Sequence, residues 1–315
     1  MIGPTTLCPQ GIGLILLDLD DTILIDGSKI SPRVVDAIAL ARERGCMAAI
    51  ASGRPLVMVP ELLRRPETMD YQICTNGSVI HDTIGGVMFE RPLTRDEALG
   101  LLDALEPLRP GWNGFIDGDA YFEWRGASYI VSGRTPTVRE LRGSGGSLHT
   151  GMGRYARKAV RFAKRMLTHR EGRYQVRSIR GAVEAAEGGV DKLGCSLPSP
   201  AACERAIDAI RHLGGYQVAR MGRQELEITA PGVTKGTAAR WLMDYLHLDP
   251  SCVVAFGDSE NDAPLIDACG IFVAMGNADD AVKARANDVC ESVYDDGVAR
   301  WLERQIAEAD GANHV

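Results

Sequence analysis

The feature that most constrains this chain is a series of short apolar runs that alternate with helical patterns near both ends of the sequence. Four of these runs read as buried strands, and each leads into a polar residue. The polar residues are Asp18, Ser52, Asn76 and Asp258. Continuous apolar strands alternating with helices indicate a parallel sheet covered on both faces. We therefore predict an α/β protein with a Rossmann-like, doubly wound parallel-sheet core.

The polar residues after these strands are expected to lie close together. In an open parallel α/β sheet, ligands bind at the edge formed by the carboxyl ends of the strands. Side chains that are far apart in the sequence are then gathered in one crevice, which is the first candidate for a functional site.

The middle of the sequence has a different character. Residues 84–228 contain a strongly basic segment, a Gly/Ser-rich stretch and most of the aromatic residues in polar surroundings. We predict an inserted α+β domain at 84–228 and a core made of 1–83 and 229–315. A length of 315 residues suits two domains.

The composition is that of a globular protein, with 45% hydrophobic and 24% charged residues. The apolar stretch 12–17 is far shorter than the roughly 20 residues of a membrane span, so we expect no membrane partner. The N-terminus lacks the basic start of a signal peptide, and the eight cysteines form no CxxC pair. These features predict a cytoplasmic protein with reduced thiols.

The segment 134–180 has 13 Lys or Arg residues and two acidic residues, although the whole chain has a net charge of −7. Three roles are open for it: a solvated helix face, an electrostatic funnel for anionic substrates, and RNA binding. Nucleic acid is the least favoured partner because no aromatic residues are interleaved with the basic ones. The sequence makes no prediction about the oligomeric state.

Carboxylates dominate the candidate chemistry. Asp18 and Asp20 leave a strand two residues apart, so they could act as nucleophile and general acid/base, or form only a solvated acidic turn. Asp258, with Asp18, offers the hard oxygen ligands that Mg²⁺ prefers. The alternative is an ordinary loop in which Asn261 or Asp262 caps the next helix.

Two further segments could bind an anion. A hydroxyl and free backbone amides at Ser52, Gly53 and Arg54 would form a phosphate cradle, although Gly and Pro also suffice for a plain turn. Lys235 stands at a predicted helix start, where the helix dipole disfavours a cation. This position suggests a fixed anionic partner, the alternative being a surface lysine.

These segments, in this order, resemble the haloacid dehalogenase superfamily, and specifically its Cof-like branch, whose cap domain is inserted between the second and third motifs. The resemblance covers both core blocks, while the middle domain matches only in position, size and α+β character. The matching segments are DLDDT at 18–22, ASGRP at 51–55, TNG at 75–77, PGVTKG at 231–236, GDSENDAPLI at 257–266 and VAMGNADDAVKARA at 273–286.

The resemblance implies a Mg²⁺-dependent phosphatase that hydrolyses small phosphate monoesters, such as sugar phosphates or related phosphometabolites, through an aspartyl-phosphate. The inserted domain would select the leaving group. The implied roles are Asp18 as nucleophile, Asp20 as general acid/base, Ser52 and Lys235 as catalytic phosphate ligands, Gly53, Arg54 and Asn261 as further phosphate-binding residues, and Asp18, Asp20, Asp258 and Asp262 as residues at the metal.

The sequence departs from that branch at Asp21, where Gly is usual. Asp tolerates a left-handed backbone better than most residues, so the loop is expected to form. Two alternatives stay open, a sugar phosphomutase on the same core and a phosphometabolite sensor without turnover. Retention of Asp18, Asp20, Lys235 and Asp258 argues against the sensor.

Overall fold

The computed structural model describes residues 11–123, 173–176, 178–221 and 223–312. Most of the basic segment 134–180, for which a solvated helix face was one of the open roles, lies outside the described residues. The chain forms two compact units, one of Met1–Arg91 with Gly232–Val315 and one of Pro92–Pro231. The first unit is therefore built from two separate pieces of the sequence.

An eight-stranded sheet with the order β14-β13-β12-β1-β2-β3-β4-β5 is the centre of the first unit. Its strands are β1 (Leu14–Leu17), β2 (Met47–Ala51), β3 (Tyr71–Cys74), β4 (Val79–Asp82), β5 (Val87–Glu90), β12 (Val253–Gly257), β13 (Ile271–Ala274) and β14 (Asp288–Val289). Its helices are α1 (Pro32–Glu43), α5 (Lys235–Leu246), α6 (Ala263–Ile266), α7 (Asp280–Lys283) and α8 (Gly297–Ala312).

The predicted doubly wound fold is confirmed. Strands β14 to β3 pair in parallel, and the chain order reverses at β1, which has β2 on one side and β12 on the other. All four residues of β1 are buried because both faces of the sheet are covered. Helix α1 begins at Pro32, as the Ser-Pro pair predicts, and buries Val34, Ala37, Ile38 and Ala41.

The hairpin of β4 and β5 was not predicted. Strand β4 pairs antiparallel with β3, and β5 with β4, so the hairpin extends the first sheet. The second unit therefore begins at Pro92 instead of residue 84. It ends at Pro231 instead of residue 228. Between β2 and β3, residues Glu61–Arg64 form a single 3₁₀ turn.

The second unit has the α+β character that the sequence predicts. Its six-stranded sheet has the order β10-β11-β9-β6-β7-β8. The strands are β6 (Gly111–Ile116), β7 (Asp119–Glu123), β8 (Arg173–Val176), β9 (Val190–Ser196), β10 (Gln217–Arg220) and β11 (Glu225–Thr229). The helices are α2 (Arg95–Leu105), α3 (Ile179–Ala185) and α4 (Pro200–Leu213).

The two faces of this second sheet differ. On one face, Gly114 lies against Ile179 of α3. On the opposite face, the buried Lys192 donates to Glu227 at 2.6 Å, and its ammonium lies 4.7 Å from the ring centre of Phe115. The unit therefore has one helix-covered face and one face with a buried ion pair.

Among the described residues, no helix is long and apolar enough to cross a membrane. The cysteines in the same part of the chain are all free thiols, and most are buried.

Candidate active site

The site lies at the carboxyl edge of the first sheet, where four neighbouring strands end. Asp258 follows β12, Asp18 follows β1, Ser52 follows β2, and the turn Thr75–Gly77 follows β3. The strand order β12-β1-β2-β3 brings these ends side by side. This is the convergence that the sequence predicts from the topology of a parallel sheet.

Lys235 is the buried centre of the site. Its ammonium donates to a carboxylate oxygen of Asp18 and to one of Asp262, both at 2.7 Å. Lys235 and Asp262 are fully buried and Asp18 is 5% exposed. The lysine is the first residue of α5, whose N-cap Thr234 forms a capping box with Thr237. Two carboxylates thus offset the unfavourable placement of a cation at a helix start.

Burial controls the protonation of this group. It raises the pKa of Asp18 to about 7, an effect that Lys235 opposes and Asp262 reinforces. For Lys235, burial alone would lower the pKa, but the adjacent carboxylates of Asp18 and Asp262 raise it above the ordinary lysine range. The proton therefore stays on the lysine, which remains a cation beside Asp18.

Three carboxylates surround this one ammonium. Oxygen atoms of Asp18, Asp258 and Asp262 all lie within 4.8 Å of one another. Burial raises the pKa of Asp258 to about 9, and repulsion from Asp18 and Asp262 adds to the shift. Clustered carboxyl oxygens whose ionised forms are disfavoured in the absence of a cation suit a hard divalent cation, so these residues fit the Mg²⁺ that the sequence predicts.

Asp262 also organises its own loop. One carboxylate oxygen accepts from Lys235, and the other accepts from the backbone amides of Asp258 and Ser259 at 3.0 and 3.1 Å. A side chain at Gly257 would approach the Asp262 carboxylate within 2.5 Å, so only glycine leaves room for it. Asp262 therefore fixes both Lys235 and the loop that carries Asp258.

Arg54 and Asp20 form a separate pair. The buried guanidinium of Arg54 donates to both carboxylate oxygens of Asp20, at 2.7 and 2.5 Å, while half of the Asp20 side chain stays exposed. Arg54 also donates to the carbonyls of Gly27 and Met58. The sequence predicts Arg54 as a phosphate-binding residue, whereas in the structure its side chain holds Asp20.

The remaining predicted residues lie in the same group of loops. Ser52 is buried, its hydroxyl accepts from the backbone amide of Arg54 at 3.2 Å, and Gly53 stands between these two residues. The amide nitrogen of Asn261 donates to the side-chain oxygen of Asn76 at 3.2 Å, and the oxygen of Asn261 accepts from Ser259.

Two further residues hold these loops: Asn76, which the sequence placed at the wall of the crevice, and Asn277, for which it predicted no role. Asn76 contacts Asn261, as described above. Asn277 donates to the backbone carbonyl of Asp21 at 2.7 Å and accepts from the amide of Val293. Both lie within the segments TNG and VAMGNADDAVKARA that carry the family resemblance, which is the signal that could have found them.

The unusual residue of the first loop takes the predicted backbone. Asp21 has a φ of 61°, in the left-handed region that Asp tolerates and that Gly adopts freely. Its amide donates to the carbonyl of Leu24 at 3.2 Å. The loop after β1 thus forms with Asp in place of Gly.

A doubly wound sheet whose carboxyl edge gathers acidic residues around a buried lysine defines a class of α/β enzymes. The chain belongs to the haloacid dehalogenase-like hydrolase family, whose model matches residues 15–302. It is 26% identical over 290 residues to the pyridoxal phosphate phosphatase YbhA of Escherichia coli, covering 92% of this chain and 97% of that protein. It is also 26% identical over 299 residues to the 5-amino-6-(5-phospho-D-ribitylamino)uracil phosphatase YitU of Bacillus subtilis, covering 93% and 97%.

Solved structures share the fold. A haloacid dehalogenase-like hydrolase from B. subtilis matches with a TM-score of 0.77 at 22% identity, over 93% of this chain and 99% of that one. A subclass IIB sugar phosphatase of the same superfamily matches with a TM-score of 0.69 at 18% identity, over 93% and 98%. The match extends over both units, in agreement with the predicted Cof-like membership.

Proposed function

We propose that this chain is a Mg²⁺-dependent phosphatase that hydrolyses small phosphate monoesters through an aspartyl-phosphate on Asp18. The observation that carries the proposal is the contact of the buried Asp18 carboxylate with the Lys235 ammonium at 2.7 Å, beside Asp258 and Asp262. The phosphatase names of full-length relatives support the reaction type. Hydrolysis of the aspartyl-phosphate by water would release free phosphate, which neither a phosphomutase nor a sensor does.

In the first step, a carboxylate oxygen of Asp18 attacks phosphorus as the bond from phosphorus to the ester oxygen breaks. Asp20 gives its proton to the departing alkoxide. In the second step, Asp20 removes a proton from water, which attacks the phosphorus of the aspartyl-phosphate and frees Asp18 and inorganic phosphate. Lys235 holds the nucleophile and balances charge on the transferring oxygens.

Mg²⁺, bound by the side chains of Asp18 and Asp258 and the backbone carbonyl of Asp20 with Asp262 beside them, would offset the repulsion between an anionic nucleophile and a dianionic ester. Ser52, the amide of Gly53 and Asn261 would bind the phosphoryl oxygens. Because Arg54 donates to both oxygens of Asp20, we assign Arg54 to the orientation of the general acid instead of to the phosphate.

We assign the choice of the leaving group to the second unit, Pro92–Pro231, and a small phosphorylated metabolite in the cytoplasm as the substrate. Pyridoxal phosphate, 5-amino-6-(5-phospho-D-ribitylamino)uracil and hexose phosphates are the first compounds to compare, because relatives are named for the first two and a structural neighbour is a sugar phosphatase.

The test is phosphate release from p-nitrophenyl phosphate and from this panel, with Mg²⁺, by the wild-type protein and by Asp18→Asn. The variant keeps the shape of the side chain but removes the nucleophile, so turnover should be abolished while the thermal unfolding midpoint is retained. Unchanged turnover in D18N would eliminate Asp18 as the nucleophile. Phosphate exchange that depends on a sugar bisphosphate, without release, would show a mutase.

A further inference from the structure

The turn after β3 has an unusual backbone. Thr75, Asn76 and Gly77 have φ values of 50°, 58° and 101°, so three consecutive residues lie in the left-handed region. That region is favourable for glycine, tolerated by Asn and strained for a β-branched residue such as Thr. The Thr75 hydroxyl is buried and has no hydrogen-bond partner among the described residues. Such a conformation persists only where the surroundings impose it.

The loop after β2 helps to impose this left-handed conformation on the turn. The amide of Thr75 donates to the carbonyl of Arg54, and the amide of Asn76 donates to the carbonyl of Ser52, both at 3.0 Å. The turn is thereby joined to the residues on either side of Gly53. The loop that contains Ser52 and the arginine that holds Asp20 are both tied to this turn.

The turn is also packed against the start of α5. A β-carbon at Gly77 would lie 2.3 Å from the carbonyl oxygen of Thr234 and 3.0 Å from the side chain of Ala238. Thr234 immediately precedes Lys235. The close approach of Gly77 to Thr234 therefore fixes the position of the start of α5, and with it the position of Lys235 in the site.

The third connection is made by a side chain. The oxygen of Asn76 accepts from the amide nitrogen of Asn261 at 3.2 Å, and Ser259 donates to the oxygen of Asn261 at 2.7 Å. Asn76 and Asn261 are 5% and 8% exposed. With both ends of its amide engaged, Asn261 has one orientation, in which its remaining N–H can serve a ligand.

We propose that Asn76 is a positioning residue, which acts through Asn261 and orients its amide toward the transferring phosphoryl group. The left-handed turn is what carries the Asn76 side chain across from β3 to the loop after β12. This inference rests on the proposed function in one respect, the contact of Asn261 with phosphate.

The test is a double-mutant cycle of Asn76→Gly and Asn261→Ala. Glycine removes the side chain of Asn76 and accepts its left-handed backbone without strain, so the turn is retained. Loss of one orienting hydrogen bond should lower kcat for p-nitrophenyl phosphate about tenfold in the wild-type background. In the N261A background, N76G should have little further effect, because residues that act through each other are not additive.

Two measurements separate positioning from stability and from the proposed function. His247→Gly is the matched control, since His247 has a φ of 55° at the far end of α5. Thermal unfolding of N76G, compared with that of H247G, gives the stability cost of the lost buried side chain apart from the effect of a glycine backbone, and kcat is measured where every variant is folded. Calorimetry would measure the binding of inorganic phosphate, in the presence of Mg²⁺, to the wild type, to N76G, to N261A and to the double variant. The losses of binding free energy should be non-additive, as the losses of kcat are. Additive losses in either cycle would overturn only the proposed positioning role of Asn76. A wild-type protein that neither binds nor releases phosphate would overturn that role and the proposed phosphatase function together.

Discussion

The buried guanidinium of Arg54 donates hydrogen bonds to both carboxylate oxygens of Asp20, while the Asp20 side chain remains half exposed. If this contact orients the general acid, the contribution of Arg54 to kcat depends on how much the leaving group needs a proton. Arg54→Met should lower kcat about 10²-fold for an alkyl phosphate, whose alkoxide needs a proton, and far less for p-nitrophenyl phosphate, whose phenolate leaves without one.

Steady-state kinetics with the two substrates would measure this difference. Asp20→Asn is the matched comparison, because it removes the acid itself and should show the same preference. Equal losses on both substrates in R54M would return Arg54 to the phosphate-binding role that the sequence suggested.

Lys235 neutralises two buried carboxylates, so its removal should destabilise the first unit. Lys235→Met would leave Asp18 and Asp262 without a counterion and should lower the free energy of unfolding by about 3–5 kcal/mol. Urea denaturation would measure this loss. The double variant K235M/D262N carries one fewer buried charge and should recover part of it. A K235M protein as stable as wild type would mean that the carboxylates do not depend on the lysine.

Metal binding should be visible in stability. A cation that binds only the folded protein stabilises it by about 2.7 kcal/mol at 100 times the dissociation constant, so Mg²⁺ should raise the unfolding midpoint. Asp258→Asn should abolish that rise. In EDTA the same variant should be more stable than wild type, because asparagine replaces a carboxyl group whose ionised form is disfavoured by burial and by repulsion from Asp18 and Asp262. An undiminished Mg²⁺ effect in D258N would place the cation elsewhere.

Gly77 and Gly100 form a matched pair of glycine substitutions. Gly77→Ala would drive a methyl group into the carbonyl of Thr234 and should cost about 1–3 kcal/mol of overpacking, with added strain from its φ of 101°. Gly100→Ala, within α2, meets no atom within 4 Å and should stabilise the helix by about 0.5–1 kcal/mol. Chemical denaturation of both variants would check the opposite signs.

The partly buried His81 should make the free energy of unfolding depend on pH. Burial lowers the pKa of His81, an effect that Asp82 and Glu90 oppose. A lowered pKa means that the unfolded chain binds the proton more readily, so the contribution is complete above the ordinary histidine pKa of about 6.5 and is lost as the pH falls below it. Between pH 7 and pH 5, wild type should lose stability more steeply than His81→Gln. Parallel curves would contradict this assignment.

The sequence predicted most of the first unit because its strands are short, apolar and bounded by polar turns. The four strand ends meet as the parallel topology requires. Strand β5 was assigned to the insertion, because it is an edge strand with exposed residues and lacks the continuous apolar run of a buried strand. Strand β4 fell within the predicted core, although no strand was predicted there.

Within the site, the sequence identified the residues but not their pairings. The placement of Lys235 at a helix start indicated an anionic partner, yet nothing in the spacing showed that Asp18 and Asp262 would share it. The contact of Arg54 with Asp20 and that of Asn76 with Asn261 join different loops. Such contacts depend on the three-dimensional path of each loop, which local propensity does not encode.

The central position of β1 has a consequence for biosynthesis. One edge of β1 pairs with β2, which follows it closely in the chain, but the other pairs with β12, which is translated only after the whole second unit. Until Val253–Gly257 has left the ribosome, the unpaired backbone edge of the apolar strand β1 is open to pairing with other chains. Folding of the first unit must therefore wait for nearly complete synthesis, and truncated chains that end before β12 should aggregate.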